Sequence, residues 1–188
     1  MPVRWSYPAA PLGTADGATA STAALVDVTP GAAPPQIPPI WDVGMRLRIT
    51  AHGWCTSGSA TPTAVFGLYL AAPATAIASA LVLAVTGNTP LPASVTQGPW
   101  NLFWEGECRA LSTPASATAG SIQGRGYVDP VSSLTAFGTK QALPGTYAGR
   151  VLAFDTTKQQ NLLVGVTLSA TTGSPSIACE HLTAELIG

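Results

Sequence analysis

The sequence predicts an all-β fold: an antiparallel β-sandwich, jelly-roll-like, of about eight strands, with an extended N-terminal arm. Three observations predict it. Several segments alternate apolar and polar residues with a period of two, the mark of a strand with one buried and one wet face. Gly (19) and Pro (17) cut the chain into short pieces joined by turn chemistry. No stretch carries the period of an amphipathic helix, and no repeat of fixed length suggests a propeller or solenoid.

Residues 1–20 are rich in Pro, Ala and Gly and read as the arm, with residues 21–188 as one sandwich domain. Ser21–Val28 reads as the first strand, closed by Thr29-Pro30-Gly31. The Pro cluster that follows (Pro34, Pro35, Pro38, Pro39) cannot be a central strand, because Pro lacks the ladder donor. The clearest strand comes next. Met45, Leu47, Ile49 and Ala51 alternate with Arg46, Arg48, Thr50 and His52. Thr61–Leu70 and Ile77–Val85 read as two more strands, followed by the turn Thr86-Gly87-Asn88-Thr89-Pro90.

In Trp100–Leu111, Trp100, Leu102, Trp104 and Cys108 fall on one face and Asn101, Glu105, Glu107 and Arg109 on the other. Ser121–Val128 sets Ile122 and Val128 against Gln123, Arg125 and Tyr127, and its Gly124 and Gly126 point to a bulge or a close backbone approach. A loop over about 129–149 leads to a strand at Arg150–Asp155. Leu162, Val164, Val166 and Leu168 mark another, and Ile177–Leu186 closes the chain with a slip at Glu180-His181 that reads as a bulge.

Composition narrows the function. Hydrophobic residues make up 46% of the 188 and charged residues only 9%, so the surface is built mostly of Thr, Ser, Gly, Ala and Pro. A net charge of -1 leaves no clustered Lys and Arg to neutralise phosphates, so no nucleic-acid partner is expected. The Ala64–Val85 stretch is uncharged, but Pro73, its Thr, Ser and Gly content, and the lack of flanking basic residues argue for strands, not a membrane span. The start holds no apolar run suited to a signal peptide. Cys55, Cys108 and Cys179 are an odd, widely spaced set, read as three packed thiols and not as a disulfide framework.

Three constellations could carry chemistry. Glu105 and Glu107 share a strand face about 6.5–7 Å apart, a separation paired carboxylates use in glycosidases. The plainer reading is a wet face with Arg109 supplying a countercharge. His52, Cys55, Cys108, Cys179 and His181 could hold a soft metal if their strands met, but no tight Cys-x-x-Cys knuckle is present. No nucleophile elbow, phosphate loop or dinucleotide fingerprint occurs. The Trp residues, with Trp41 and Trp54 the exposed candidates, could stack on sugars; core packing is the alternative. The expectation is a protein that is not an enzyme and needs no cofactor or metal.

Several phrases in order carry a resemblance: Ile37-Pro38, Asp42 to Ile49, Ala51-His52-Gly53, Thr61-Pro62-Thr63 into Phe66-Gly67-Leu68-Tyr69, Leu162 to Ser169, Ser176 to Cys179, and Leu182 to Leu186. Over residues 21–188 the chain resembles virion structural proteins of tailed bacteriophages, of the minor capsid or head-decoration kind. The resemblance implies a structural virion protein that binds, stabilises or decorates the capsid exterior. Its partners would be the major capsid protein and further copies of itself, a trimer fitting capsid three-fold sites. The arm residues Arg4, Trp5 and Tyr7, with Pro34, Pro35, Ile37, Pro38 and Trp41, are the expected contact residues. A tail or tail-tip protein, or a carbohydrate-binding host-attachment module, is the alternative.

Overall fold

A computed structural model describes residues 3–7, 20–30, 34–59, 61–113, 116, 120–130, 140–146 and 151–188, with backbone only at 3–7. Its elements in order are β1 (Val3–Tyr7), β2 (Val26–Asp27), β3 (Gln36–Ile37), β4 (Arg46–Thr56) and β5 (Thr63–Ala71). A one-turn 3-10 helix (Ile77–Ser79) follows, then β6 (Leu81–Val85), β7 (Thr89–Pro90), β8 (Gly98–Ala110) and β9 (Ser121–Pro130). The chain ends with β10 (Gln141–Leu143), β11 (Val151–Ala153), β12 (Gln160–Leu168) and β13 (Ser176–Ile187).

These strands form the expected sandwich of two antiparallel sheets. The larger has the order β1-β13-β4-β8-β9-β10, with β11 also on β9. The smaller has the order β2-β12-β5-β6, with β3 on β12 and β7 on β5. Every pairing is antiparallel, and sheet neighbours often lie far apart in sequence, as when β13 pairs β4. The alternation seen in the sequence is the alternation of burial. Leu47, Ile49, Ala51, Trp100, Leu102, Trp104, Ile122, Val128, Leu182 and Ala184 face inward from the larger sheet; Phe66, Leu68, Leu162, Val164 and Val166 belong to the same core.

Two glycine-lined features shape this core. A Cβ at Gly124 would lie 2.0 Å from Trp104 Cζ2, and one at Gly106 would lie 2.2 Å from its Cη2. Gly126, directly opposite Trp104, would place a Cβ 1.9 Å from Phe103 O. The indole therefore lies over a floor of bare backbone, the close approach that Gly124 and Gly126 announced. The second feature is the bulge between Cys179 and His181, where the register of β13 on β4 shifts and Glu180 turns outward. Trp100 Nε1 donates to Ala178 O at 3.0 Å beside it.

Three predicted strands are shorter than the pattern implied: that at Arg150–Asp155 stops at Ala153, where β11 leaves β9, and two others differ more. Only Val26–Asp27 of Ser21–Val28 joins a ladder, because Ser21–Ala24 offer small, exposed side chains with little to bury. Ile77–Ser79 turn as a 3-10 helix so that Ile77 packs onto the outer face of the smaller sheet, where its Cδ1 would sit 2.7 Å from a Cβ at Gly165. Tyr69, Ala71, Ile77 and Leu163, with Leu25, Ala80 and Val85, make a second small cluster there. Among the described residues the outer face of the smaller sheet is thus largely covered, whereas that of the larger sheet stays open. No helix among the described residues is long and apolar enough to cross a membrane; Ala64–Val85 is β5, the turn and β6.

Candidate functional site

The open outer face of the larger sheet gathers nearly half of the chain's charged residues. Strand register sets them in rows. One row runs Glu185, Arg48, Glu105, Arg125 across β13, β4, β8 and β9. The next runs Thr183, Thr50, Phe103, Tyr127, and the one after His181, His52, Asn101, Asp129. Arg46, Glu107 and Gln123 form the row on the other side. Neighbouring rows are two residues apart, roughly 6.6 Å at the usual strand rise.

In the centre, the Phe103 and Tyr127 rings lie side by side, with centroids 5.8 Å apart and planes 30° apart. Tyr127 is 36% exposed, while Phe103 is half-buried. Lys140 Nζ stands 4.4 Å from the Tyr127 centroid, over the ring. Beside this pair, a depression of about 360 Å³ is lined by Arg46, Glu105, Glu107, Arg109, Gln123 and Arg125.

The two glutamates are held by arginines. Arg46 and Arg48 donate to separate oxygens of Glu105, at 3.3 Å to Oε1 and 3.0 Å (Arg48 Nε) to Oε2. Arg109 donates to Glu107 at 2.7 Å. Glu105 and Glu107 thus sit as paired anions on a wet face, the plainer of the two readings. Arg125 faces Glu105 across the β8–β9 ladder, yet both Glu105 oxygens are engaged from β4. Among the described residues Arg125 meets no carboxylate within ion-pair distance. One Asp129 oxygen, Oδ1, is buried without a donor among the described residues.

His52 and His181 come together as a stack with centroids 5.0 Å apart. Burial pushes the His52 pKa down, and the neighbouring His181 charge pushes it the same way, against an opposing pull from Glu180. Cys55 and Cys108 are buried in the core, away from this outward pair. Cys179 is also buried, its thiol against the carbonyls of His52 and His181. Burial pushes Cys55 up to about 11 and Cys179 up to about 12. No group of three or more His, Cys, Asp or Glu fit for a metal occurs among the described residues.

The expected contact residues are dispersed. Pro35, Ile37 and Trp41 are buried within the chain, Trp41 edge-on to Phe154 with centroids 5.0 Å apart. Pro34 and Pro38 are half-buried. The side chains of Arg4, Trp5 and Tyr7 lie outside the described residues, though their backbone forms β1 on β13. Trp100 and Trp104 are core, and Trp54 is half-buried. The outward face of the larger sheet carries Tyr127, which is exposed, and Phe103 and Trp54, both half-buried; Phe103 and Tyr127 stand side by side. The signal was present in the sequence: Phe103 stands in the polar phase of its strand, between Asn101 and Glu105.

No protein-family model matches the chain, and no curated protein matches it. Solved structures similar to it include peanut lectin with a nonamer peptide (8% identity, 100% of this chain and 99% of that one, TM-score 0.42). Metal-free lectin I-B4 from Griffonia simplicifolia is similar at 10% identity, 97% and 99% coverage and TM-score 0.43. The CBM2 module of the evolved Dit of Lactobacillus casei BL23 phage J-1 is similar at 7% identity, 99% and 69% coverage and TM-score 0.29. These are distant likenesses of β-sandwich architecture and bear no weight on function.

Proposed function

We propose that this chain is a non-enzymatic recognition module of a phage particle that binds carbohydrate on the outer face of its larger sheet. The observation that carries this reading is the Phe103–Tyr127 pair, set in the middle of an open, polar sheet face. A sugar ring has an apolar C–H face and a rim of hydroxyls. An aromatic platform takes the first, and convergent polar side chains take the second. Here Asn101, Thr50, Arg48 and Arg125 surround the rings in neighbouring register positions. The placement on a phage particle rests on the sequence resemblance alone.

A glycan array probed with the intact chain tests this, with Tyr127→Ala and Phe103→Ala as companions and circular dichroism to confirm that both fold. Retention of a glycan by the wild type, lost in Tyr127→Ala, is expected. Absence of any retained glycan, or retention indifferent to both substitutions, overturns the reading.

A second reading, a structural subunit that decorates and stabilises a capsid shell as a homotrimer, has support in β1. This N-terminal strand adds to the edge of β13, from Val3 opposite Leu186 to Tyr7 opposite Leu182. The same main-chain hydrogen bonds are available to the strand of a neighbouring copy. Deleting residues 1–20 and measuring solution mass and particle incorporation tests it. Lost assembly with intact folding favours the second reading, and unchanged assembly removes the arm from it.

A further inference from the structure

Building on the carbohydrate reading, we infer that the sheet face selects acidic sugars: a uronate-type ring stacked on Phe103 and Tyr127 with its carboxylate taken by Arg125 and Lys140. The argument begins with which cations are already engaged. Arg46 and Arg48 share Glu105, and Arg109 holds Glu107. Arg125 is exposed and has no such partner among the described residues. Lys140 is exposed too, with its ammonium over the Tyr127 ring. The segment 131–139 just before it contains no Asp or Glu.

Two cations without a carboxylate partner among the described residues therefore flank one aromatic platform. Arg125 stands two residues before Tyr127 on the same strand face, and Lys140 stands over the ring itself. A neutral sugar stacking on Tyr127 would displace the ammonium and lose its attraction to the ring. An acidic sugar displaces it onto its own carboxylate, so the cation keeps an anionic partner. Arg125 adds a planar fork matched to carboxylate geometry.

Asp129, the nearest carboxylate on this strand, lies two residues beyond Tyr127, on the side away from Arg125. The polarity along β9 thus runs from cation through aromatic to acid. A bound sugar would direct its carboxylate toward Arg125 and its hydroxyls toward Asn101 and Asp129. The Arg125–Asp129 span is roughly 13 Å at the usual strand rise, room for two sugar rings.

The test uses the intact chain against polygalacturonate, alginate and hyaluronan, each paired with its carboxyl-reduced form, with affinity measured by calorimetry. Dextran sulfate serves as a polyanion without uronate groups. The expected result is at least one uronate bound about tenfold more tightly than its reduced form, a preference that Arg125→Gln removes and Tyr127→Ala weakens. Reduced or other neutral glycans bound as well as uronates, in a Tyr127-dependent way, overturn the acidic selection and leave the carbohydrate reading intact. No binding of any glycan overturns both. Binding of uronates no tighter than dextran sulfate, unaffected by Tyr127→Ala, shows a diffuse charge effect and overturns the acidic-sugar site.

Discussion

Gly124→Ala isolates the packing on which the open sheet face depends. The added Cβ would lie 2.0 Å from Trp104 Cζ2, where carbon atoms ordinarily stay about 3.5–4.0 Å apart. Trp104 is 1% exposed and has sheet on both sides, so the ring cannot swing away. Overpacking of this kind costs about 1–3 kcal/mol. For a chain of this length each kcal/mol lowers Tm by about 2–4 °C, so the expected fall is about 2–12 °C. Gly87→Ala is the control, since a Cβ there meets nothing within 4 Å. Thermal unfolding followed by circular dichroism gives both values. Trp104→Phe supplies the second arm. It removes the overlapping ring atoms, together with an indole N–H that has no partner among the described residues. Gly124→Ala should therefore be milder in that background, with a coupling of about 0.5–3 kcal/mol. A Gly124→Ala protein that melts with the wild type, or a double mutant showing simple additivity, would refute the reasoning.

Three further outcomes follow from individual side chains. Cys55 and Cys179, raised by burial to about 11 and about 12, and Cys108, raised in the same direction, should be silent toward a thiol reagent at pH 8 in the native protein. All three should react once the chain is unfolded in guanidinium; rapid native labelling of any would contradict their burial. Because the folded His52 pKa lies below its unfolded value of about 6.5, the unfolded chain binds more protons as pH falls through that value. Stability should thus be full above about pH 6.5 and decline below it, with His52→Gln flattening that decline in urea titrations between pH 7 and 5. Thr29 Oγ1 accepts from the buried Val164 N–H at 2.8 Å, so Thr29→Val should cost about 1–3 kcal/mol by leaving that donor unpaired. A loss below about 0.5 kcal/mol in urea unfolding would show that the N–H finds another acceptor.

Much of the fold was legible because the strands facing both core and water obey a period of two. Arg46–His52 and Trp100–Arg109 alternate in sequence and in burial alike, and the slip at Glu180-His181 is the observed bulge. The smaller sheet was harder to read, since β5 is buried on both faces over most of its length and has little alternation to show. Its covering turn at Ile77–Ser79 looked like strand because Ile77 is apolar for tertiary reasons, as the plug over Gly165.

The site divides in the same way. Glu105, Glu107 and Arg109 were rightly placed on one wet face with countercharge, since strand period alone decides it. That His52 meets His181, or that Arg125 is left over after Glu105 is engaged from β4, depends on which strands become neighbours. Strand order of this non-local kind is not written in any local window. Of the Trp residues, Trp41, Trp100 and Trp104 are drawn inward, while Trp54 stands half-buried on the outward face of β4; the exposed ring on that sheet is Tyr127, beside Phe103.

The most direct test of the central claim is a nuclear magnetic resonance titration of the isotope-labelled chain with the glycan best retained on the array. Amide and side-chain shifts confined to the outward residues of β4, β8 and β9, centred on Phe103, Arg125 and Tyr127, are the predicted result. Shifts centred on β2, β5 and β12 of the smaller sheet, or no shifts at saturating glycan, would contradict it.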